Sequence, residues 1–201
     1  PGTYQIRLKA VDVDGLYRDS AWSEPKEFVR EEESGLSYRL IDGNRAYEVV
    51  GVGSASGKIV IDDEFRGKPV KSIGKSAFSN ATGITEVTIG NNVTIIKDHA
   101  FYNCRSLERV IIPETVEVIE QYAFQSCRSL SEINLPAKLT EIADYTFSYC
   151  SALTQIGIPS GVTSIGKYAF NECTSLQQVT FGERLTSIGE SAFSGCEALA
   201  E

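Results

Sequence analysis

Methionine is absent from the 201 residues, tryptophan occurs once (Trp22) and histidine once (His99). A lone histidine leaves no His/Cys cluster for zinc and little for acid–base catalysis. No apolar run reaches the length of a membrane-spanning helix, so no span is expected in this chain. Basic side chains are the minority, 19 against 27 acidic, for a net charge of −8. That balance argues against a phosphate-binding surface, and no basic stripe with interleaved aromatics occurs, so no nucleic-acid partner is expected. The opening residues, "PGTYQIRLKA", have neither a basic n-region nor an apolar h-region. No signal peptide is expected there, and the start reads as the interior of a longer polypeptide.

What the chain does have is a period. Phe78, Phe101, Phe124, Phe147, Phe170 and Phe193 recur every 23 residues, and Cys104, Cys127, Cys150, Cys173 and Cys196 follow the later five by three positions. Ile73, Ile96, Ile119, Ile142, Ile165 and Ile188 form a further column, and Ile84, Leu107, Leu130, Leu153, Leu176 and Leu199 another. A fixed step of this length marks stacked units, none of which buries its apolar face alone. Within a unit, stretches such as "LERVII" (107–112) and "LTQIGI" (153–158) read as short strands closed by Pro113 and Pro159. Pieces such as "VEVI" (116–119) give a second strand, and the segment around Ala-Phe reads as a short helical turn. Like strands then stand side by side in parallel ladders about 4.8 Å apart.

The cysteine column decides between chemistry and architecture. In the first copy the slot holds Ala81, of similar bulk and without a thiol. Parallel Cβ vectors about 4.8 Å apart exceed the spacing a disulfide prefers, and a straight ladder cannot build a tetrahedral zinc cage. Five free thiols in a buried packing slot are therefore expected.

The motif A-F-x-x-C-x-x-L-x-x-[VI]-x-[IL]-P-x-x-[VL]-x-x-I, as in "SIGKYAFNECTSLQQVTF" (164–181), resembles the BspA-type leucine-rich repeat. The resemblance covers about 35–201 and includes an entry segment, "GLSYRLIDGNRAYEVVGVGSASGKIVIDDEFRGKPVKSIGKSAF" (35–78). It implies an α/β, right-handed leucine-rich-repeat solenoid with a β-hairpin N-terminal cap, in a bacterial surface or secreted protein whose role is adhesion or protein binding. Residues 4–28, with Trp22-Ser23-Glu24-Pro25 opening the second run, resemble the terminal hairpin of a fibronectin type III domain. The expected organisation is that hairpin over 1–29, a charged linker over 30–35, a cap over 36–72 with a turn at Gly43-Asn44, and repeats over 73–201. The last repeat stops before its strand, which leaves an apolar end and an expectation of end-on self-association.

Enzymatic chemistry finds little support. His99 shares its column with Ser76, Tyr122, Tyr145, Tyr168 and Ser191, which reads as an exposed rim. Asp12-Val13-Asp14-Gly15 lacks the other ligands of a calcium loop and reads as a turn. No catalytic residue, metal or cofactor is expected. The candidate ligand face comprises the outward column Glu86, Arg109, Glu132, Gln155, Gln178 with Ile111 and Asn134 beside it. A second candidate is an aromatic strip of Tyr122, Tyr145 and Tyr168 with Tyr102 and Tyr149 nearby. The expected partner is a protein or glycan. The competing reading is a spacer, or an accessory module of a larger secreted enzyme.

Overall fold

The computed structural model of the protein describes residues 5–6, 26–30 and 35–199. Strands β1 (Gln5–Ile6) and β2 (Lys26–Arg30) pair antiparallel. The rest of the fibronectin-like hairpin expected over 1–29, and most of the 30–35 linker, lies outside the described residues. Strands β3 (Ser37–Ile41) and β4 (Ala46–Gly51) form the hairpin that opens the solenoid. Asp42, Gly43 and Asn44 take positive φ in its turn, a conformation that Gly and Asn tolerate best. β2 adds antiparallel to β3, so the entry hairpin carries a third strand.

Strands β5 (Gly57–Ile61), β6 (Glu64–Phe65) and β7 (Lys68–Ile73) complete the entry. From Val70 the chain winds six coils, each starting 23 residues after the last, at Val70, Val93, Val116, Leu139, Val162 and Leu185. They contribute β8 (Ile84–Ile89), β9 (Ile95–Ile96), β10 (Arg109–Ile111), β11 (Val118–Ile119), β12 (Glu132–Ile133) and β13 (Glu141–Ile142). β14 (Gln155–Gly157), β15 (Ser164–Ile165), β16 (Gln178–Thr180) and β17 (Ser187–Ile188) follow. The first face of the solenoid stacks β4, β7, β9 and β11, then β13, β15 and β17, all in parallel. The second face stacks β5, β8, β10 and β12, then β14 and β16, also in parallel.

Between the faces lies one core. Phe78, Phe101, Phe124, Phe147 and Phe170 are 0% exposed and stack ring on ring, with centroids 4.8 to 5.5 Å apart. Such pairs add roughly 0.5–1.5 kcal/mol beyond the area they bury. Each coil thus covers its neighbour's apolar face, as the period requires.

The segments around Ala-Phe are chains of hydrogen-bonded turns, and no helix occurs among the described residues. Two residues per coil are left-handed, one two positions before the phenylalanine and one two after, as at His99 and Asn103 or Tyr145 and Tyr149. A positive φ ends a right-handed helix, so neither flank propagates one. The alternation turns every second N–H toward the next coil. His99, Phe101 and Asn103 donate to the Gln121, Ala123 and Gln125 carbonyls at 3.3, 2.7 and 2.7 Å. This turn ladder is a third line of hydrogen bonds along the solenoid.

The five cysteines are free thiols. Each Sγ–H donates to the phenylalanine carbonyl of the preceding coil: Cys104 to Phe78 at 2.9 Å, Cys127 to Phe101 at 3.0 Å, then Cys150, Cys173 and Cys196 to Phe124, Phe147 and Phe170 at 3.2 Å. The same carbonyl also takes a main-chain N–H, as Phe101 does from Cys104 at 3.3 Å. Ala81 has no such task, because the residue 26 positions before it is Ala55, in the irregular segment between β4 and β5.

Candidate functional site: the second face and the aromatic strip

The alternation of each strand points Val87, Val110 and Ile156 inward and leaves their neighbours outside. Register places Glu86 opposite Arg109 and Arg109 opposite Glu132, while Gln155 stands opposite Gln178. Arg109 Nε reaches Glu132 at 3.1 Å. Lys58, at the start of β5, extends the column and pairs with Glu86 at 2.9 Å. The charges therefore alternate along four rungs. Lys58, Arg109 and Glu132 are largely in water and Glu86 is half-buried, so each pair adds a few tenths of a kcal/mol and mainly removes like-charge repulsion.

Beside that column run Val60, Thr88 and Ile111 in register, with Val60 58% and Ile111 36% exposed. Asn134 is not free for a ligand. Its amide carbonyl accepts from the Ile112 N–H at 3.1 Å and its NH2 donates to the Ile112 carbonyl at 2.7 Å, so it serves the ladder. A shallow groove of about 450 Å3 runs beneath Arg109, Ile111, Glu132 and Gln155. A second, of about 210 Å3, lies between Gln155, Gly157, Gln178 and Thr180. Lys58 and Val60 escaped the column reading because the entry segment departs from the 23-residue step, although "KIVI" has the look of a rung.

Four of the five tyrosines of the expected strip lie in one run of rings, which His99 joins and Tyr149 does not. Tyr122, Tyr145 and Tyr168 stack with centroids 4.9 and 5.0 Å apart, and His99 stacks on Tyr122 at 4.6 Å. Tyr102 tilts against His99 at 5.3 Å. Tyr149 stands apart, on the far flank of the turn beyond Phe147, 43% exposed and in no ring contact. His99 is thus a half-buried member of the stack, where its column alone suggested an exposed rim. Its Nδ1 meets the Asp98 carboxylate, which Lys75 reaches from the other side at 2.7 Å. Burial alone would raise the Asp98 pKa, but hydrogen bonds from Lys75 and His99 hold it below its ordinary value. Tyr145 is pushed above its ordinary value, first by desolvation and then by Tyr122, Tyr168, Asp144 and Glu190, so it stays a neutral hydroxyl. With both faces of Tyr122 and Tyr145 covered by neighbours, only ring edges and hydroxyls remain for a ligand.

No group of three or more His, Cys, Asp or Glu able to hold a metal occurs among the described residues. No described helix is long and apolar enough to cross a membrane. Nothing in this arrangement assembles a nucleophile with a base.

Comparison with known proteins places this geometry. A leucine-rich repeat protein of T. pallidum superposes with a TM-score of 0.70 at 22% identity, covering 86% of this chain and 92% of that one. A leucine rich cell surface protein of Faecalibacterium prausnitzii is 30% identical with a TM-score of 0.64, covering 85% of this chain. The chain spans about half, 53%, of that protein's length. A leucine-rich repeat protein of Bacteroides ovatus matches at 0.53 and 22%. No curated protein matches the chain. The family model described as the BspA type leucine rich repeat region matches in 6 copies over residues 70–200, and the chain belongs to that family.

Proposed function

We propose that this chain is a non-catalytic recognition and adhesion module of a bacterial surface or secreted protein, and that its second face docks a protein ligand. The observation that carries the reading is the change of character along that face. Lys58, Glu86, Arg109 and Glu132 alternate in charge, and beyond them Gln155, Gly157, Gln178 and Thr180 are uncharged. A broad, mixed, shallowly grooved surface suits a protein partner better than a small molecule, which needs an enclosing pocket. The strip agrees at its centre, because Tyr122 and Tyr145, covered on both faces, offer edges and hydroxyls for amphipathic contact rather than a platform for a sugar. The cell-surface description of the F. prausnitzii relative supports the location.

The test immobilises the chain against an array of extracellular proteins and a glycan array. The captured ligand is then titrated against Arg109→Ala and Tyr145→Ala, each checked for native circular dichroism. A protein hit weakened at least tenfold by Arg109→Ala supports the reading, whereas loss on Tyr145→Ala alone would move the contact to the aromatic strip. Hits on glycans alone, or binding indifferent to both substitutions, would sink it in favour of a spacer.

A further inference from the structure

We propose that the junction between coils 3 and 4 is a hinge, dividing the solenoid into two rigid three-coil blocks that bend about the turn ladder. On the first face, Thr94, Glu117, Thr163 and Thr186 each donate a backbone N–H to the residue 23 positions earlier, at 2.9 to 3.0 Å. Lys97, Glu120, Gly166 and Gly189 donate to the residue 24 positions earlier, Ile73, Ile96, Ile142 and Ile165. The counterparts at the one remaining junction, Thr140 to Glu117 and Ala143 to Ile119, are not made, and β11 does not pair with β13.

The second face opens at the same junction. Glu108, Ser131 and Gln177 donate to the preceding coil, whereas Thr154 does not, and β12 does not pair with β14. Ile133 and Leu135 are half-buried there, while Val110, Ile112, Ile156 and Ile158 in the adjoining coils are buried. Of the three main-chain ladders, only the turn ladder crosses the junction intact. Tyr122, Phe124 and Ser126 donate to Asp144, Thr146 and Ser148 at 3.1, 2.9 and 2.8 Å. A joint held along one edge and open on two faces bends about that edge.

One residue sets this junction apart. Thr146 stands in the column that is Ala77, Ala100, Ala123, Ala169 and Ala192 in the other coils. It is 1% exposed, so its two extra heavy atoms must fit between tightly stacked turns. The phenylalanine ladder reads 4.8, 5.1, 5.5, 5.3 and 5.2 Å, and its widest step is Phe124–Phe147, at this junction. Ser148, two residues on, is 0% exposed with an Oγ that has no hydrogen-bond partner, a further sign of imperfect fit in coil 4.

The joint lies under grooves on both faces. A groove of about 510 Å3 sits over Val118, Glu120, Glu141 and Asp144 on the first face. The two second-face grooves border the same junction through Ile133 and Gln155. Bending about the turn edge widens or narrows both sides together, so occupation of one face changes the shape of the other.

Hydrogen exchange on the intact chain tests this. The Thr140, Ala143 and Thr154 amides are expected to exchange roughly 30-fold faster than Glu117, Thr163, Gly166 and Gln177, as unpaired ladder amides should. Thr146→Ala, which restores the alanine column and gives up only the hydrogen bond from Thr146 Oγ1 to the Ala143 carbonyl at 2.8 Å, should slow them to their neighbours' rates. The variant Ala169→Thr should in turn speed the Thr163 and Gly166 amides one junction further on. Equal protection across all six coils, or rates that Thr146→Ala does not move, overturns the proposal.

Discussion

Thiol reactivity along the cysteine column tests the core directly. Burial, and to a lesser degree the neighbouring Cys196, pushes the Cys173 thiol up to about 12. Near pH 8 a thiol with that value is thiolate once in about 10,000 molecules, against about one in four for an ordinary cysteine, so its intrinsic alkylation is roughly 2,000-fold slower. Cys127 and Cys150 are pushed well above the ordinary value, again mainly by burial, and both are 0% exposed. Cys196 is raised by burial too, yet it stays half-buried in this chain. Iodoacetamide followed by peptide mass spectrometry should therefore label Cys196 within minutes. The other four should react only on the timescale of coil opening. In guanidinium without reductant all five should label at similar rates. Cys104 or Cys127 reacting as fast as Cys196, or fewer than five labelled in denaturant, would refute the account of a buried, unbridged ladder.

Phe124→Ala removes a ring that stacks on two others and is 0% exposed; it should cost about 3–5 kcal/mol and split the thermal transition in two, since each coil is held only by its neighbours. Phe193→Ala, at a half-buried ring, should cost clearly less by the same calorimetry. Glu48 is 0% exposed and accepts from Ser72 at 3.0 Å, from Lys97 and from Arg39, tying β3, β4 and β7 to the second coil. Burial would raise its pKa, but those bonds outweigh it and hold the carboxyl below its ordinary value. The stabilisation is fully present above about pH 4.3, the unfolded value, and is lost as pH falls through the lower folded value. Glu48→Gln should therefore cost about 3 kcal/mol near neutrality, the low end for a broken buried pair because Lys97 and Arg39 stay partly in water. Its deficit in melting temperature should close below pH 4, and a deficit independent of pH would contradict the assignment.

Much of this architecture is legible in the sequence because identical neighbours impose identical demands. Phe124 stacks on Phe101 and Phe147, so the spacing of the column reports the stack before any coordinates do. The free thiols follow from ladder geometry, and the Arg109–Glu132 register from simple counting. The left-handed residues leave no such mark. Apart from Gly195, their positions hold Ser, His, Tyr, Asn and Glu, residues that also occur in helices, and the turn ladder that fixes them is a contact between coils. His99 was misplaced for the same reason: its column shows tolerance, whereas its burial depends on Tyr122 stacking from the next coil.

The cysteines show how a repeat can hide a polar role inside an apolar column. Alanine at position 81 suggests that bulk alone is selected, since alanine and cysteine fill the slot alike. The structure separates them by what lies one coil earlier. Wherever a ladder phenylalanine precedes, its carbonyl meets a thiol donor, and where Ala55 precedes, the donor is dispensed with. The exception therefore explains the rule better than the five matches do. Thr146 argues the same way in reverse. It breaks the alanine column at the one junction where both strand ladders part, so in a solenoid the residue that departs from its column is where mechanical behaviour is written. Repeats set the rigidity of the rod, and their irregularities set where it bends.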